Sequence, residues 1–430
     1  MTYKQTIEYL YSRLPVFHRI GAAALKPGLG NTEALLSILY NPEQKFKSIH
    51  IAGTNGKGST SHYLAAILQC AGSKTGLYTS PHVKDFRERI RLNGQMISKA
   101  YVVKFVEDEL SKFNHIDASF FELTVAMAFK YFAEKKVDVA VIETGLGGRL
   151  DSTNVISPDL SIITNIGYDH TDLLGDTLAK IATEKAGIIK PNTPVVIGET
   201  HAETKAVFAN TAQRNNALIV FADKEYNTTG VADFSAQKPV LKVSAKKKKG
   251  EAKQYTSELT GQYQQKNIAT VLAAVEELRK QGYSIPDSAV KKGLANVVTI
   301  TGLLGRWQII NKKPLAIADT GHNYDGIKQT MAQLKALNKG HLHIVFGVVA
   351  DKDLAKVLPL LPRNATYYFC KANVPRALDA NLLFETAIGA GLKGLAYPTP
   401  RKAYNAAKKN AAPHDTIYIG GSTFIVGEII

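Results

Sequence analysis

Along the chain, apolar residues fall into short continuous runs separated by stretches in which they recur every three to four residues. The first run ends at Ile49 to Ala52, is followed by GTNGKGS at Gly53 to Ser59, and then by Tyr63, Leu64, Ile67 and Leu68 at helical spacing. That order predicts a strand, a glycine-rich loop and a helix. Val137 to Ile142, Leu160 to Asn165 and Pro194 to Gly198 are almost uninterrupted in apolar character, as expected of parallel strands covered by helices on both faces. The simplest assembly is an α/β fold with a doubly wound, mostly parallel sheet.

From about Phe208 to Gln262 the pattern shortens and alternates, with Leu241 to Ser244 among the segments, which predicts a small subsidiary β region. Helical spacing returns over Gln264 to Lys280, where Val271, Leu272, Val275 and Leu278 share a face, and over Asp287 to Leu294. Thr299 to Gly305 reads as a linker. Beyond it, Pro314 to Ala318, His341 to Phe346, Thr366 to Cys370 and Thr416 to Ile419 read as strands between helices. These make a smaller Rossmann-like α/β domain over 299–430, after a first domain over 1–298. No repeat of fixed period is evident.

Composition narrows the class. At 430 residues, 45% of them hydrophobic, the chain has apolar material for two or three cores. No apolar run is long enough to span a bilayer, and Lys4, Glu8, Arg13 and Arg19 interrupt the N-terminus where a signal peptide would be apolar. A cytoplasmic protein without a membrane partner is expected. Cys70 and Cys370 match no metal or redox spacing. The balance of 53 basic against 37 acidic residues gives +16, which suits nucleic acid or small anionic substrates. The run Lys246 to Lys249 lacks interleaved aromatics and reads as a solvated loop tip, so no nucleic-acid partner is expected from it.

Chemistry enters at the loop. Its glycines let backbone N–H groups approach phosphate oxygens, Lys57 can reach the outer phosphates, and Ser59 can ligate magnesium. The general P-loop pattern wants Gly where this chain has Ile51, and a hydroxyl directly after the lysine, where it has Gly58. Ser80, Glu143 and His170 each follow a predicted strand, and ligands of open α/β sheets gather at the carboxyl ends of strands. A hydroxyl, a carboxylate and an imidazole can all bind a divalent cation, although magnesium prefers oxygens. Singly, each is better explained by a helix cap, a solvated acid or a hydrogen-bonded histidine; only their shared placement at strand ends beside the loop favours a metal site. Lys185, on a predicted helix in TEKAGIIK, reads as an ordinary exposed lysine. In the second domain Arg306, Asp319, His322 and Asn323 offer a cation and acceptors such as a bound nucleotide requires; DTGHN also suits a polar turn.

The ordered set GTNGKGS, TSPH, FFELT, ETGLGGRLDSTN, DH, EKAGIIK, GQYQQKN, GRW and DTGHN resembles the folylpolyglutamate synthase and dihydrofolate synthase family, in the Mur-ligase-like group of ATP-dependent amide ligases. The resemblance runs from about Pro27 to GSTFIVGE near the end of the chain. It implies that Gly53, Thr54, Asn55, Gly56, Lys57, Gly58 and Ser59 bind ATP phosphates and that Ser59, Ser80, Glu143 and His170 hold magnesium. It matches Lys185 to a lysine carboxylated by carbon dioxide, a ligand for a second magnesium ion, and Asn267, Arg306, Asp319 and His322 to ATP contacts. Phe121, Glu122, Leu150, Asp151 and Ser152 match pterin-side segments, and Leu29, Gly30, Asn31 and Thr32 match more loosely. The implied reaction joins L-glutamate to dihydropteroate or a folate through an acyl phosphate, releasing ADP and phosphate, in a protein expected to be monomeric. A Mur-type or cyanophycin-type amino-acid ligase would share the loop and DTGHN but lack FFELT with GLGGRLDSTN. A nucleic-acid-stimulated P-loop ATPase would share the loop and the positive charge.

Overall fold

In the computed structural model, which describes residues 1–15, 28–234 and 238–430, the run Ile49 to Ala52 lies in β1 (Lys47–Ala52), where every residue after Lys47 is buried. It is flanked by β5 (Val139–Glu143) and β6 (Leu160–Ile163) in a sheet ordered β4-β3-β2-β5-β1-β6-β7-β8. The outer strands are β2 (Thr75–Tyr78), β3 (Ile90–Leu92), β4 (Gln95–Met96), β7 (Val195–Ile197) and β8 (Ile219–Phe221). Pairing is parallel from β2 to β8 and antiparallel at β3 and β4. Ile51 is in register with Glu143 on one side and Ile162 on the other. The carboxyl ends of β5, β1 and β6 are therefore level, and the segments leaving them start side by side.

Both faces of the sheet are covered. Val125, Phe129 and Phe132 of helix Phe120–Glu134 pack with Tyr78, Ala140 and Ile142. Ala182 and Ala186 of helix Leu178–Ala186 pack with Ile163, Val195, Ile197 and Phe208. Burying such apolar surface contributes roughly 25 cal/mol per Å², so both clusters help hold the helices on the sheet.

The subsidiary β region begins later than the alternation suggested. Phe208 lies in helix Ala202–Arg214, and β8 extends the main sheet beside β7. The separate antiparallel sheet consists of β9 (Tyr226–Asp233), β10 (Val240–Lys247) and β11 (Ala252–Ser257), ordered β11-β10-β9. Leu241, Val243 and Ala245 alternate onto its buried face. Lys248 and Lys249 form the exposed turn after β10.

Contacts divide the chain into two compact units, Met1–Glu258 with Gln264–Leu303, and Leu259–Tyr263 with Leu304–Ile430. Thr299 to Gly305, read as a linker, contains the change of unit at Leu303 and Leu304; it opens with the end of helix Val297–Thr301, which Gly302 closes in a left-handed conformation at φ 66°. Its glycine marks a helix stop. The helix belongs to the first unit, where the hydroxyl of Thr301 lies 2.8 Å from His62 Nδ1.

The second unit is a sheet ordered β12-β13-β17-β14-β15-β16, built from β12 (Gln308–Lys312), β13 (Leu315–Ala318), β14 (Leu342–Phe346), β15 (Thr366–Cys370), β16 (Lys393–Tyr397) and β17 (Thr416–Gly420). Only β12 is antiparallel. Trp307, Ile317, Ile344, Phe346, Phe369 and Tyr418 fill its core. Among the described residues no helix is long and apolar enough to cross a membrane.

Candidate functional site

The Gly53 to Ser59 loop leaves the carboxyl end of β1 and enters helix Lys57–Cys70. Gly53 has φ 147°, and a Cβ there would lie 1.9 Å from Thr164 Oγ1; Gly56, at φ 85°, would place a Cβ 2.4 Å from Asn267 Oδ1. Both positions exclude side chains. Neighbouring segments hold the loop: Asn55 N–H donates to Asn165 Oδ1 at 2.8 Å, the Thr164 hydroxyl to the Asn55 carbonyl at 2.6 Å, and Thr54 N–H to the Asn165 carbonyl at 3.0 Å. No side chain caps the helix, so its positive N-terminal end faces the loop without a built-in anion.

Two lysines meet at one carbonyl. Lys57 Nζ and Lys185 Nζ each donate to the Gly53 carbonyl at 3.0 Å. Lys185 is only 3% exposed. Burial first, and then the charge of Lys57, depress its pKa to about 7, against the opposing pull of Asp169 and Asp151. Lys185 is thus not the exposed lysine that its sequence setting suggests.

Its burial follows from how its helix is docked. Arg149 Nε and Nη2 donate to Glu184 Oε1 at 3.2 and 2.9 Å, and Arg149 N–H donates to the Glu184 carbonyl at 2.7 Å. Asn154 Nδ2 donates to the carbonyls of Arg149 and Gly187 at 3.1 and 3.0 Å. A Cβ on Gly187 would come within 2.3 Å of Arg149 Cβ. ETGLGGRLDSTN and EKAGIIK, separate in sequence, form one hydrogen-bonded joint that sets Lys185 against the loop.

Glu143 closes β5 and is buried; its Oε2 accepts from the Ser80 N–H at 3.2 Å, joining those two candidate ligands. His170 takes a left-handed conformation at φ 50° and starts the short helix Thr171–Leu174, with Nε2 3.9 Å from Asp169 Oδ1. Ser59 is buried in the first helical turn, where its hydroxyl accepts from Gln264 Nε2 at 3.1 Å, and Gln264 Oε1 accepts from Asn267 Nδ2 at 2.8 Å. Gln264 did not stand out in the sequence; its signal is its place in GQYQQKN, at the head of helix Gln264–Lys280. Thr164 and Asn165, the loop's clamps, likewise lacked any sequence signature.

Several residues matched to the pterin side serve the fold directly. Asp151 is buried, and its Oδ2 accepts from the N–H groups of Gly145 and Leu146 at 2.8 Å each. Burial raises its pKa despite these bonds. Glu122 Oε2 accepts from the Ser119 N–H at 2.6 Å in a capping box that starts helix Phe120–Glu134. Phe121 is half-buried, edge-on to Tyr78 at 6.1 Å, and its ring occupies the space where a Gly145 side chain would stand. Leu150 is exposed and Ser152 half-buried. Leu29 precedes helix Gly30–Ile38, in which Thr32 is buried and Asn31 Nδ2 donates to the Asp117 carbonyl at 2.9 Å. Pro27, where the family resemblance begins, lies outside the described residues, as does Arg19.

In the second unit Asp319 is buried with both oxygens engaged: Oδ1 accepts from Gly321 N–H at 2.7 Å, and Oδ2 from the Tyr263 hydroxyl at 2.6 Å and Trp307 N–H at 2.8 Å. Burial outweighs these bonds and raises its pKa. Arg306 donates to the Gly305 carbonyl and to the Thr320 hydroxyl. His322 Nδ1 lies 3.1 Å from the Thr320 carbonyl, which can only accept, so that nitrogen carries the hydrogen. Asn323 caps helix Tyr324–Leu337 through Gly326 N–H.

The first unit thus offers an anion-ready helix terminus, two lysines and hard oxygen donors. Among the described residues no group of three His, Cys, Asp or Glu side chains is poised to hold a metal. One carboxylate with hydroxyls and an imidazole fits an ion that takes its remaining ligands from phosphate and water, as magnesium does.

Comparison with known proteins gives concordant results. Residues 51–275 match the Mur ligase middle domain, and residues 305–423 match the Mur ligase, glutamate ligase domain. The dihydrofolate synthase/folylpolyglutamate synthase of Bacillus subtilis is 32% identical over 423 residues, covering 94% of each chain. The structure of Escherichia coli FolC in complex with DHPP and ADP superposes with a TM-score of 0.82 at 30% identity, over 100% of this chain and 96% of that one. The crystal structure of a bifunctional folylpolyglutamate synthase/dihydrofolate synthase with Mn, AMPPNP and L-glutamate bound gives 0.81 at 27%, over 100% and 97%.

Proposed function

Because the chain belongs to the dihydrofolate synthase/folylpolyglutamate synthase family of Mur ligases, we propose that it is an ATP-dependent ligase joining L-glutamate to dihydropteroate, to a reduced folate, or to both. The observation that carries this reading is the joint between the Gly53 to Ser59 loop and Lys185, two lysines on one carbonyl beside a helix N-terminus. The anionic substrates account for the +16 charge without nucleic acid, and the protein acts as a monomer.

Gly53 to Ser59 cradles the phosphates of ATP, and Lys57 exchanges its carbonyl contacts for the γ-phosphate. Asn267, whose amide oxygen crowds Gly56 of the loop, contacts the nucleotide. A carboxylate is a poor electrophile because its oxygen leaves badly. An oxygen of the acceptor carboxylate therefore attacks the γ-phosphorus, ADP departs, and an acyl phosphate results; the glutamate amine then attacks the carbonyl carbon, phosphate leaves, and an amine proton passes to solvent. Ser59, Ser80, Glu143 and His170 would hold a magnesium ion, which neutralises charge on the transferred phosphoryl group. Preorganised donors of this kind contribute most where charge develops.

Lys185 carries the finer part of the proposal. With a pKa of about 7, a large share of its amine is neutral at physiological pH and nucleophilic toward carbon dioxide. Its nitrogen attacks the carbon, one N–H proton leaves, and the resulting carbamate replaces like-charge repulsion from Lys57 with attraction. That carboxylate would give a second magnesium ion its ligand. Phe121, Glu122, Leu150 to Ser152 and Leu29 to Thr32 border the acceptor.

The test is to incubate purified protein with ATP, magnesium and glutamate, offer dihydropteroate and a reduced folate in parallel, and follow products by mass. Glutamylation of at least one acceptor with stoichiometric ADP is expected. Failure with both, together with nucleic-acid-stimulated hydrolysis of ATP, would overturn the reading.

A further inference from the structure

A buried polar chain leads from the central strand to the loop after Glu143. His50, in β1, is 0% exposed, and its Nε2 lies 2.8 Å from the hydroxyl of Thr153. That hydroxyl is 2.5 Å from Asp151 Oδ1. A hydroxyl has one proton to give, and both Asp151 oxygens already accept backbone N–H groups, so the carboxyl accepts here as well. The Thr153 proton therefore points to Asp151, and the Thr153 oxygen accepts from His50 Nε2–H. Burial lowers the pKa of His50 to about 3, so the ring is neutral, and its Nδ1 has no partner among the described residues. One hydrogen bond thus fixes its tautomer. At the other end, Asp151 Oδ2 gathers the N–H groups of Gly145 and Leu146, and Oδ1 also accepts from Thr153 N–H at 3.0 Å.

We infer that His50 is a positioning residue for the acceptor substrate, fixing through Thr153 the carboxylate of Asp151 and with it the backbone of Gly145 and Leu146, while Arg149 is held separately by Glu184. The inference rests on the acceptor-side reading of Leu150 to Ser152 given above. His50 lies only three residues before Gly53, so a merely structural role would disturb ATP and acceptor alike, whereas a relay to Asp151 spares ATP.

The experiment compares His50→Leu, His50→Gln, Thr153→Val and the double variant His50→Leu/Thr153→Val in the full chain. His50→Leu and Thr153→Val should each raise the acceptor KM about tenfold and leave the ATP KM within about twofold, the range of losses when a residue orienting a contact residue is removed. The double variant should be no worse than either single one, because both break the same chain. His50→Gln, which keeps a donor, should restore most of the loss. Amide exchange in the ligand-free protein gives an independent readout: Gly145 and Leu146 should exchange faster in both single variants while Thr54 and Asn55 do not. Equal losses for ATP and acceptor, additive effects in the double variant, or unchanged exchange at Gly145 and Leu146 would overturn the assignment. If the parent protein glutamylates neither acceptor, the proposed function fails, and exchange alone still decides whether the relay holds the loop.

Discussion

Lys185 concentrates the chemistry of single residues in this protein. A buried ammonium beside a second lysine is costly, and the structure meets that cost by lowering its pKa rather than by pairing it with an adjacent carboxylate. The folded-state pKa lies below the ordinary lysine value of 10.5, so between about 7 and 10.5 the unfolded chain binds more protons. Stability should therefore rise as pH increases through that window, and the penalty is complete below it. Urea midpoints of the parent and of Lys185→Met at pH 6.5 and 9 test this: the parent should gain more between the two, and equal gains would place the amine in water. In activity, Lys185→Ala should lose about a hundredfold or more and recover partly with added short carboxylates, read in the glutamylation assay. No recovery, together with an uncarboxylated Lys185 in an active crystal, would remove the carbamate. The family resemblance singled out Lys185, but the local pattern could not show its burial, a tertiary fact created here by Arg149, Glu184 and Asn154. The loop, by contrast, was legible because glycine spacing after an apolar run is local, and Gly53 and Gly56 are constrained by direct crowding.

At the scale of elements, the joint between the loop after β5 and helix Leu178–Ala186 decides whether the site forms. Gly187→Ala would push a methyl into Arg149, and overpacking of this kind typically destabilises by about 1–3 kcal/mol; urea denaturation should show a lower midpoint with an unchanged slope. Arg149→Ala should leave a folded protein with activity reduced about tenfold and faster amide exchange across Leu178–Ala186. Unaltered exchange would mean that Arg149 does not hold the helix. The central strands could be read from the sequence because burial on both faces makes them continuously apolar, as in β1 and β5. Edge strands lacked that signal: β8, β12 and β16 are mostly half-buried or exposed. The stretch that opens with Phe208 was misread because a helix and the short β8 together mimic a broken alternation. The change of unit at Leu303 and Leu304 falls within the glycine-rich segment Thr299 to Gly305, whereas the helix end at Thr301 was hidden because Gly302, its stop signal, also suits a linker.

Over the whole molecule, 53 basic residues face 37 acidic ones, and an electrostatic role in gathering anionic substrates makes a graded prediction. Raising ionic strength from about 50 to 500 mM should raise the KM for ATP and for a glutamylated acceptor several-fold while changing kcat little, since screening weakens long-range attraction more than contacts in the site. A fall in kcat with constant KM would place the effect elsewhere. The central claim is that ATP energy enters by phosphorylation of the acceptor carboxylate, and isotope transfer tests it most directly. With an acceptor carrying ¹⁸O in both carboxylate oxygens, each turnover should deliver one ¹⁸O to inorganic phosphate and leave the other in the amide. Phosphate free of label, with the isotope found in AMP or water, would contradict the acyl phosphate.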